Sequence, residues 1–171
     1  MKLFFALWPD VSTREHLHSM QARLLPLIGG RGTAPNTFHI TLCFLGEVDP
    51  ARLNILTAIG SEIDGRTFEM QINKVSCFEK AKVGWAGSKQ VSQPLVELQA
   101  AIQNAVNAEG FDVDPRTFRP HITLVRHLPQ AFETMSTQGV RWPVSGFSLV
   151  ASLPDANGVR YELLKTWALR V

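Results

Sequence analysis

The sequence has little of several features that would point to a function directly. Cysteine occurs only as Cys43 and Cys77 among 171 residues, too few for the disulfide framework of a small secreted protein, although one bridge between them stays open. No apolar run reaches the roughly 18 to 20 residues of a membrane-spanning helix. Charged residues make up 19% of the chain and the formal net charge is +2, less than the basic stripe of a tight duplex binder. We therefore expect a cytoplasmic protein that has no membrane partner and tolerates a nucleic-acid substrate.

Signatures of common cofactor and metal sites are also missing. The glycine-rich residues 29–32 lack the Gly-Lys-Ser/Thr ending of a nucleotide P-loop and predict a flexible loop. His121 and His127 share one strand-like run, but no carboxylate or third histidine stands at ligand spacing, so no metal is expected. His16 and His18 are two residues apart in a predicted helix and cannot share one face. The chain is therefore expected to work without a cofactor.

The tetrapeptide His-Ile-Thr-Leu is present twice, at residues 39–42 and 121–124. Both copies lie in apolar runs that predict β-strands. Because side chains alternate between the two faces of a strand, His39 and Thr41 point to one face while Ile40 and Leu42 point to the other. Chance predicts roughly 0.3 His-x-Thr triplets in a chain of this composition. The repeat therefore indicates a polar site built from two related strands.

The order of predicted elements is similar in the two halves of the chain, with a strand, a helix and a motif strand in each. The expected strands are 2–8, 38–45, 67–79, 82–87, 120–127, 144–153 and 160–170, with a turn at 155–158, and the expected helices begin near residues 10, 50 and 92 and end near 26, 64 and 109. Residues 1–171 therefore predict a single α+β domain of two pseudo-duplicated lobes. In this fold, two antiparallel sheets flanked by helices enclose a central cleft.

Two histidines that face one bond suit phosphodiester chemistry. An imidazole titrates near pH ~6.5, so one ring can accept a proton while an anionic substrate keeps the other protonated. A threonine hydroxyl two residues along the strand can donate to a phosphoryl oxygen. Arg126 can bind phosphate through both guanidinium arms, but a regular strand would place it on the opposite face from His121, so a bulge or strand end is required. Either motif alone is better explained by polar residues on a half-buried strand, and the repetition reverses that preference in favour of a site.

The paired motifs resemble the signature of the 2H phosphoesterase family, in particular its bacterial RNA 2′,3′-cyclic phosphodiesterases, also called 2′-5′ RNA ligases. The similarity extends along the chain through residues 3–6, 38–46, 120–126, 161, 164–165 and 167–169. It departs from the family pattern at Leu163, where proline is common, and at Arg119, where a different polar residue is common. Neither departure touches the two His-x-Thr motifs.

The resemblance implies a bilobal 2H fold and metal-independent hydrolysis of an RNA-terminal 2′,3′-cyclic phosphate to a 2′-phosphate. It implies His39 as the proton donor, His121 as the proton acceptor, and Thr41 and Thr123 as phosphate ligands. Arg126 is a further candidate for substrate binding. The family also implies the reverse reaction, 2′-5′ RNA ligation, through the same groups. The expected partner is an RNA end or a small cyclic nucleotide, and the expected state is a monomer.

Other functions stay open from the sequence alone. A phosphodiesterase for small cyclic nucleotides or other 2′-5′ linkages would use the same groups, and a module that binds RNA ends would keep the cleft without turnover. Cys43, on the same predicted strand face as His39, is a weaker candidate for a nucleophile than for a small buried thiol. Large aromatic side chains are candidates either for base stacking or for the core: Phe5, Trp8, Trp85, Trp142 and Trp167.

Overall fold

The computed structural model describes residues 1–156 and 158–171. In this part of the chain the helices are α1 Val11–Ile28, α2 Leu53–Glu62 and α3 Gln93–Ala108. The strands are β1 Lys2–Leu7, β2 Arg31–Gly32, β3 Ile40–Glu47, β4 Phe68–Phe78, β5 Val83–Gly87, β6 Ile122–Arg126, β7 Met135–Val144, β8 Gly146–Asp155 and β9 Gly158–Ala168. Short 3-10 turns at Pro35–Thr37 and Pro50–Arg52 lead into β3 and α2. The elements confirm the predicted α+β class.

The strands form one antiparallel sheet in the order β7-β4-β5-β6-β3-β1-β8-β9, and β2 pairs with the far end of β6. The motif strands β3 and β6 are neighbours at the centre of this sheet and share the pair Ile40 with Ile122. On one side lies the half that we call the His39 lobe, made of β1, β3, β8 and β9. On the other side lies the His121 lobe, made of β4, β5, β6 and β7.

The two predicted antiparallel sheets are present as these lobes, but hydrogen bonding makes them continuous. Ile40 and Ile122 are the first residues of their strands. Antiparallel strands that both begin at their shared pair run away from it in opposite directions, so the overlap is confined to that pair. The sequence pattern predicts the strands themselves and contains no signal for this brief contact between them.

The helices cover one face of the sheet, with α1 against the His121 lobe and α2 and α3 against the His39 lobe. Helix α1 begins at Asp10, whose carboxylate accepts a 2.7 Å hydrogen bond from Thr13 N. It ends at Ile28, two residues beyond Pro26, and is capped by Gly29, whose positive φ of 71° suits glycine. The apolar positions of all three helices enter the main core. Within residues 1–156 and 158–171, no helix has the length and apolarity to cross a membrane.

Two strands were not expected from the sequence. Strand β7 is an edge strand with alternating polar side chains, and it contains Pro143, which an edge tolerates because one side needs no ladder hydrogen bond. Strand β2 occupies part of the predicted flexible loop 29–32, where a Cβ on Gly30 would lie 2.7 Å from Val125 Cγ1. The loop prediction is therefore wrong for Arg31 and Gly32, which pair with β6. Asn157, in the predicted turn 155–158, lies outside the described residues.

Candidate active site

The pairing of Ile40 with Ile122 brings the two motifs to one place in the sheet. Both side chains point into the core, where they are 2% and 0% exposed. Because side chains alternate along a strand, the residues on either side of each isoleucine belong to the opposite sheet face. The polar members of both motifs therefore share the face that the helices leave uncovered.

Four polar side chains surround this central pair. In an antiparallel pair the flanking residues are themselves opposite one another, so His39 faces Thr123 and Thr41 faces His121. All four are half-buried. Each histidine thus has one threonine on its own strand and the other across the pair. The two His-Thr sets are related by an approximate two-fold axis through the isoleucines, as the repeated motif predicts.

Each histidine ring is held by the backbone carbonyl two residues before it. His39 Nδ1 lies 2.7 Å from Thr37 O, and His121 Nδ1 lies 2.7 Å from Arg119 O. A carbonyl can only accept, so Nδ1 carries a proton in both rings and Nε2 is left for other partners. The histidines stand immediately before β3 and β6 rather than within the strands as predicted. These carbonyl contacts assign the same tautomer to both rings.

Burial lowers the pKa of both imidazoles. The pKa of His39 falls to about 4, mainly because burial penalises the charged ring. The hydrogen bond to the Thr37 carbonyl opposes this effect, and the positive charges of His121 and Arg126 lower the pKa further. Burial also lowers the pKa of His121, again opposed by a carbonyl, that of Arg119. Both rings are therefore largely neutral at pH 7 in the free protein. The effect of Arg126 on His39 also places its guanidinium within electrostatic reach of that ring.

Aromatic rings account for the burial of the His39 imidazole. Trp8 stacks on it with ring centroids 5.1 Å apart and an interplanar angle of 3°. Phe4 lies 5.1 Å away at a tilt, and Tyr161 lies 5.2 Å away, nearly perpendicular. Trp8 was a candidate for stacking a base, and it packs on a histidine instead. The other ring, His121, has a perpendicular aromatic neighbour at 4.8 Å, which is Phe78.

Each motif ends in an irregularity of strand pairing. In β3 the register with β1 passes from Thr41 directly to Cys43, so Leu42 is an extra residue. In β6 the register with β5 skips Leu124 in the same way. Such a bulge reverses the alternation of side chains beyond it. The repeated leucine therefore marks the same backbone feature in both motifs.

These bulges determine where Arg126 and Cys43 point. Arg126 required a bulge to reach the histidines, and the extra residue in β6 provides one. Cys43 was expected on the same face as His39, but it packs in the main core with 6% exposure. Burial raises the pKa of its thiol to about 11. The expected position of Cys43 is therefore wrong, and a neutral thiol in the core is not a nucleophile.

Two buried glutamines support the bulges from the core side. Gln21 on α1 donates from Nε2 to Leu124 O at 2.7 Å, and Gln99 on α3 donates from Nε2 to Leu42 O at 3.3 Å. A bulge disrupts the local ladder, and a buried carbonyl without a donor is unfavourable. The sequence analysis missed both glutamines. Their signal is a polar residue at an apolar-face position, since Gln21 stands four residues after the buried Leu17.

Metal-ligating side chains do not gather near the site. Across residues 1–156 and 158–171, no three His, Cys, Asp or Glu side chains are grouped so that they could hold a metal ion. His127, considered above as a partner of His121, is exposed and has a positive φ of 56° just after β6. The groups that the fold brings together are imidazoles, hydroxyls and a guanidinium, which suit proton transfer and the binding of an anion.

A sheet that presents two His-x-Thr pairs across its central strands is the arrangement of the 2H phosphoesterases. A model of one branch, described as LigT like Phosphoesterase, matches residues 7–85 and again residues 86–161. The chain belongs to this family, as its sequence resemblance predicted.

Relatives of known name agree over nearly the whole chain. The RNA 2′,3′-cyclic phosphodiesterase of Escherichia coli (strain K12) is 31% identical over 170 residues, which cover 98% of this chain and 96% of the relative. The protein of the same name from Thermus thermophilus is 29% identical over 99% of this chain and 91% of its own. A crystal structure of E. coli LigT complexed with 3′-AMP superposes with a TM-score of 0.90 at 30% identity, covering 98% of this chain and 97% of that one.

Proposed function

We propose that this protein hydrolyses the 2′,3′-cyclic phosphate at the end of an RNA to a 2′-phosphate, by proton transfer between two imidazoles and without a metal ion. The observation that supports this most is the Ile40–Ile122 pair, because it sets two histidine–threonine pairs on one sheet face. The names of the relatives support the substrate class. The cyclic phosphate lies over the central pair, between the two free Nε2 atoms.

The phosphate is held by donors from both lobes. Thr41 and Thr123 donate hydroxyl hydrogen bonds to the non-bridging oxygens, where charge builds up during attack. Arg126 adds a positive charge that binds the phosphate before and during the reaction. Because each lobe supplies one threonine, the phosphorus is centred between the histidines.

The proton transfers follow from the free Nε2 atoms. His121 Nε2 accepts a proton from water as the water oxygen attacks phosphorus, and the bond from phosphorus to the ribose 3′-oxygen breaks. His39 Nε2 donates its proton to that departing oxygen. The products are a 2′-phosphomonoester and a free 3′-hydroxyl, and proton exchange with solvent restores both rings. With an RNA hydroxyl in place of water, the same groups acting in the same roles form a 2′-5′ linkage.

The low pKa of His39 gives substrate binding a second role. Burial leaves the ring neutral in the free protein, but a phosphate anion beside it favours the imidazolium. The stacked Trp8 ring also attracts the charged form, since a cation over an indole face is stabilised. The proton needed by the leaving group is therefore loaded as the substrate binds.

The setting proposed for this reaction is a monomer in the cytoplasm, acting on RNA ends with no cofactor. The single domain of residues 1–171 is proposed to descend from two copies of one lobe, in keeping with the two matches of the family model. The repeated bulges and buried glutamines support the same origin.

A turnover assay with chelator present tests the proposal. The substrate is an oligoribonucleotide with a 2′,3′-cyclic phosphate, incubated with excess EDTA, and the product is resolved as a 2′- or 3′-phosphate. We expect a 2′-phosphate at an unchanged rate, because the acting groups are imidazoles. The double variant His39→Ala, His121→Ala serves as the control for contaminating nucleases. Activity that vanishes in EDTA and returns only with added metal would reject the mechanism. Binding of the oligoribonucleotide without turnover would favour a module that binds RNA ends.

A further inference from the structure

A cavity of about 380 Å³ opens beside His121 in the His121 lobe. Trp85 in its wall pairs with Thr123 on β6 and with Ser76 on β4, so the cavity lies on the same sheet face as the two histidines. Its volume falls in the range of roughly 300 to 1,000 Å³ typical of pockets for small molecules. A water molecule needs only about 30 Å³. Hydrolysis alone therefore leaves most of this space unexplained.

The wall of the cavity is rich in donors and positive charge. Lys74 and Arg119 line it, and none of the described lining residues is acidic. Lys74 Nζ stands over the Trp85 ring at 5.5 Å from its centroid. Trp85 Nε1 is buried behind this wall and has no hydrogen-bond partner. Aromatic rings and two cations suit a nucleotide, with its flat base and its phosphate.

The geometry of the proposed reaction decides which nucleotide this is. Attacking and departing oxygens stand roughly in line on opposite sides of phosphorus. With His39 protonating the departing oxygen, the ribose of the cyclic phosphate lies toward the His39 lobe. The attacking group then lies toward His121, where the cavity is. We propose that the cavity is a subsite for a nucleoside whose 5′-hydroxyl replaces water, with Lys74 and Arg119 binding the phosphate that follows it.

This subsite rests on the proposed function and adds an acceptor strand to it. The 5′-oxygen forms a bond to phosphorus while the bond from phosphorus to the 3′-oxygen breaks. The hydroxyl proton passes to His121 Nε2, and the proton of His39 Nε2 passes to the 3′-oxygen. The product is a 2′-5′ phosphodiester with a free 3′-hydroxyl, and the ring opening of the cyclic phosphate needs no further reactant.

Binding without turnover provides the first test. Adenosine and the dinucleotide ApA, both with a free 5′-hydroxyl, are titrated into the protein while the indole N–H resonance of Trp85 is followed by NMR, assigned with Trp85→Phe. We expect both ligands to move this resonance, and ApA to bind about tenfold more tightly because its phosphate meets a cation. No movement with either ligand overturns the proposal.

Two lysines that stand over tryptophan rings supply a matched pair of variants. Lys74→Met keeps the aliphatic stem beside Trp85, and it should remove most of the advantage of ApA over adenosine. Lys165 lies over Trp167 at 5.4 Å in the other lobe, and Lys165→Met should keep that advantage. If both variants lost the affinity advantage of ApA over adenosine equally, the phosphate would be bound by general charge attraction and not by the cavity.

Partitioning between two products provides the second test. A cyclic-phosphate oligonucleotide is incubated with excess ApA, and the ratio of 2′-5′-linked product to hydrolysis product is measured. Ser88→Trp, which fills the cavity from its lining, and Lys74→Met should lower this ratio at least several-fold. An unchanged ratio overturns the subsite. A KM for the cyclic phosphate that rises as much as ApA binding weakens would assign the cavity to the cyclic-phosphate strand and also overturn it.

Failure of this subsite and failure of the proposed function look different. If ApA moves the Trp85 resonance but no cyclic phosphate is opened, the nucleoside site stands and the reaction assigned to it falls. If cyclic phosphate is hydrolysed while neither ligand binds, the subsite alone is wrong.

Discussion

The side-chain amide of Gln21 donates a 2.7 Å hydrogen bond to the carbonyl of Leu124, at a sequence separation of 103 residues. Leu124 is the bulge residue that turns the end of β6 toward the histidines. Gln99 makes the corresponding contact with Leu42 in the other lobe at 3.3 Å. Gln21, which lies in the core, thus helps to set the direction of Arg126 on the sheet face that carries the histidines.

Replacing Gln21 by methionine should reduce both stability and turnover. The variant keeps the length of the side chain but removes two hydrogen bonds, to Leu124 O and to Thr33 O, which should lower the free energy of unfolding by about 1 to 3 kcal/mol. The rate should fall as well, because the bulge that directs Arg126 loses one of its hydrogen bonds and keeps those from Thr33. Urea unfolding and kcat/KM measure the two effects. The exposed Gln130 gives the control variant Gln130→Met, and a well-folded Gln21→Met with normal kcat/KM would separate the bulge from catalysis.

The pH profile of kcat/KM for a cyclic-phosphate oligonucleotide should be bell-shaped with its maximum below pH 6.5. The proposed mechanism needs one proton on the histidine pair of the free enzyme, and burial lowers the pKa of His39 to about 4 and that of His121 below its ordinary value. Raising the pH removes the single proton, and lowering it below about 4 adds a second. The profile of kcat should lie at higher pH, because the bound phosphate raises the imidazole pKa. A maximum of kcat/KM above pH 7.5 would contradict the burial of the rings.

The roles of the two histidines can be separated by changing the leaving group. Since the pKa of His39 is about 4, this ring is seldom protonated in the free enzyme, so the proposed roles require a sparsely populated arrangement until substrate binds. Replacing the departing 3′-oxygen by sulfur, which leaves without a proton, should restore much of the rate to His39→Ala and little to His121→Ala. Rescue of His121→Ala instead would exchange the two roles. Rescue of neither variant would argue against proton transfer by these histidines.

Removing either threonine hydroxyl should slow the chemical step without unfolding the protein. Thr41→Val and Thr123→Val keep the branched shape of a strand residue, and each should lower kcat on the order of 10²-fold if the hydroxyl binds a phosphoryl oxygen in the transition state. Circular dichroism checks the fold, and single-turnover kinetics measure the step. Thr117→Val, at an exposed loop position, is the control. Full activity in either motif variant would remove that threonine from the mechanism.

The sequence predicts those features that depend on local periodicity. The three helices and most strands follow from the spacing of apolar residues, and the repeated His-Ile-Thr-Leu predicts a shared face for four polar side chains. These features agree with the structure because each depends only on residues close in sequence. The duplication of the two lobes remains a prediction.

What the sequence does not predict depends on neighbouring strands. A bulge is an offset against a partner strand, so the displacement of Cys43 into the core cannot be derived from alternation along β3 alone. The same is true of the Ile40–Ile122 contact, which depends on how two strands begin. In edge strand β7 the alternation of buried and exposed residues covers only 140–144, since residues 135–139 include no buried side chain, so the strand signal in the sequence is short.

The brevity of that central contact has a mechanical consequence. A long ladder of paired residues resists a shift in register, because a shift of one residue turns every side chain to the wrong face. Strands β3 and β6, by contrast, share only the pair Ile40 and Ile122. The spacing between His39 and His121, the proposed proton donor and acceptor, therefore depends on how these two buried isoleucines pack in the interior. In this enzyme the packing of the core sets the distance between the two histidines. A substitution that loosens the core beneath the Ile40–Ile122 pair should therefore change the rate before it changes the fold.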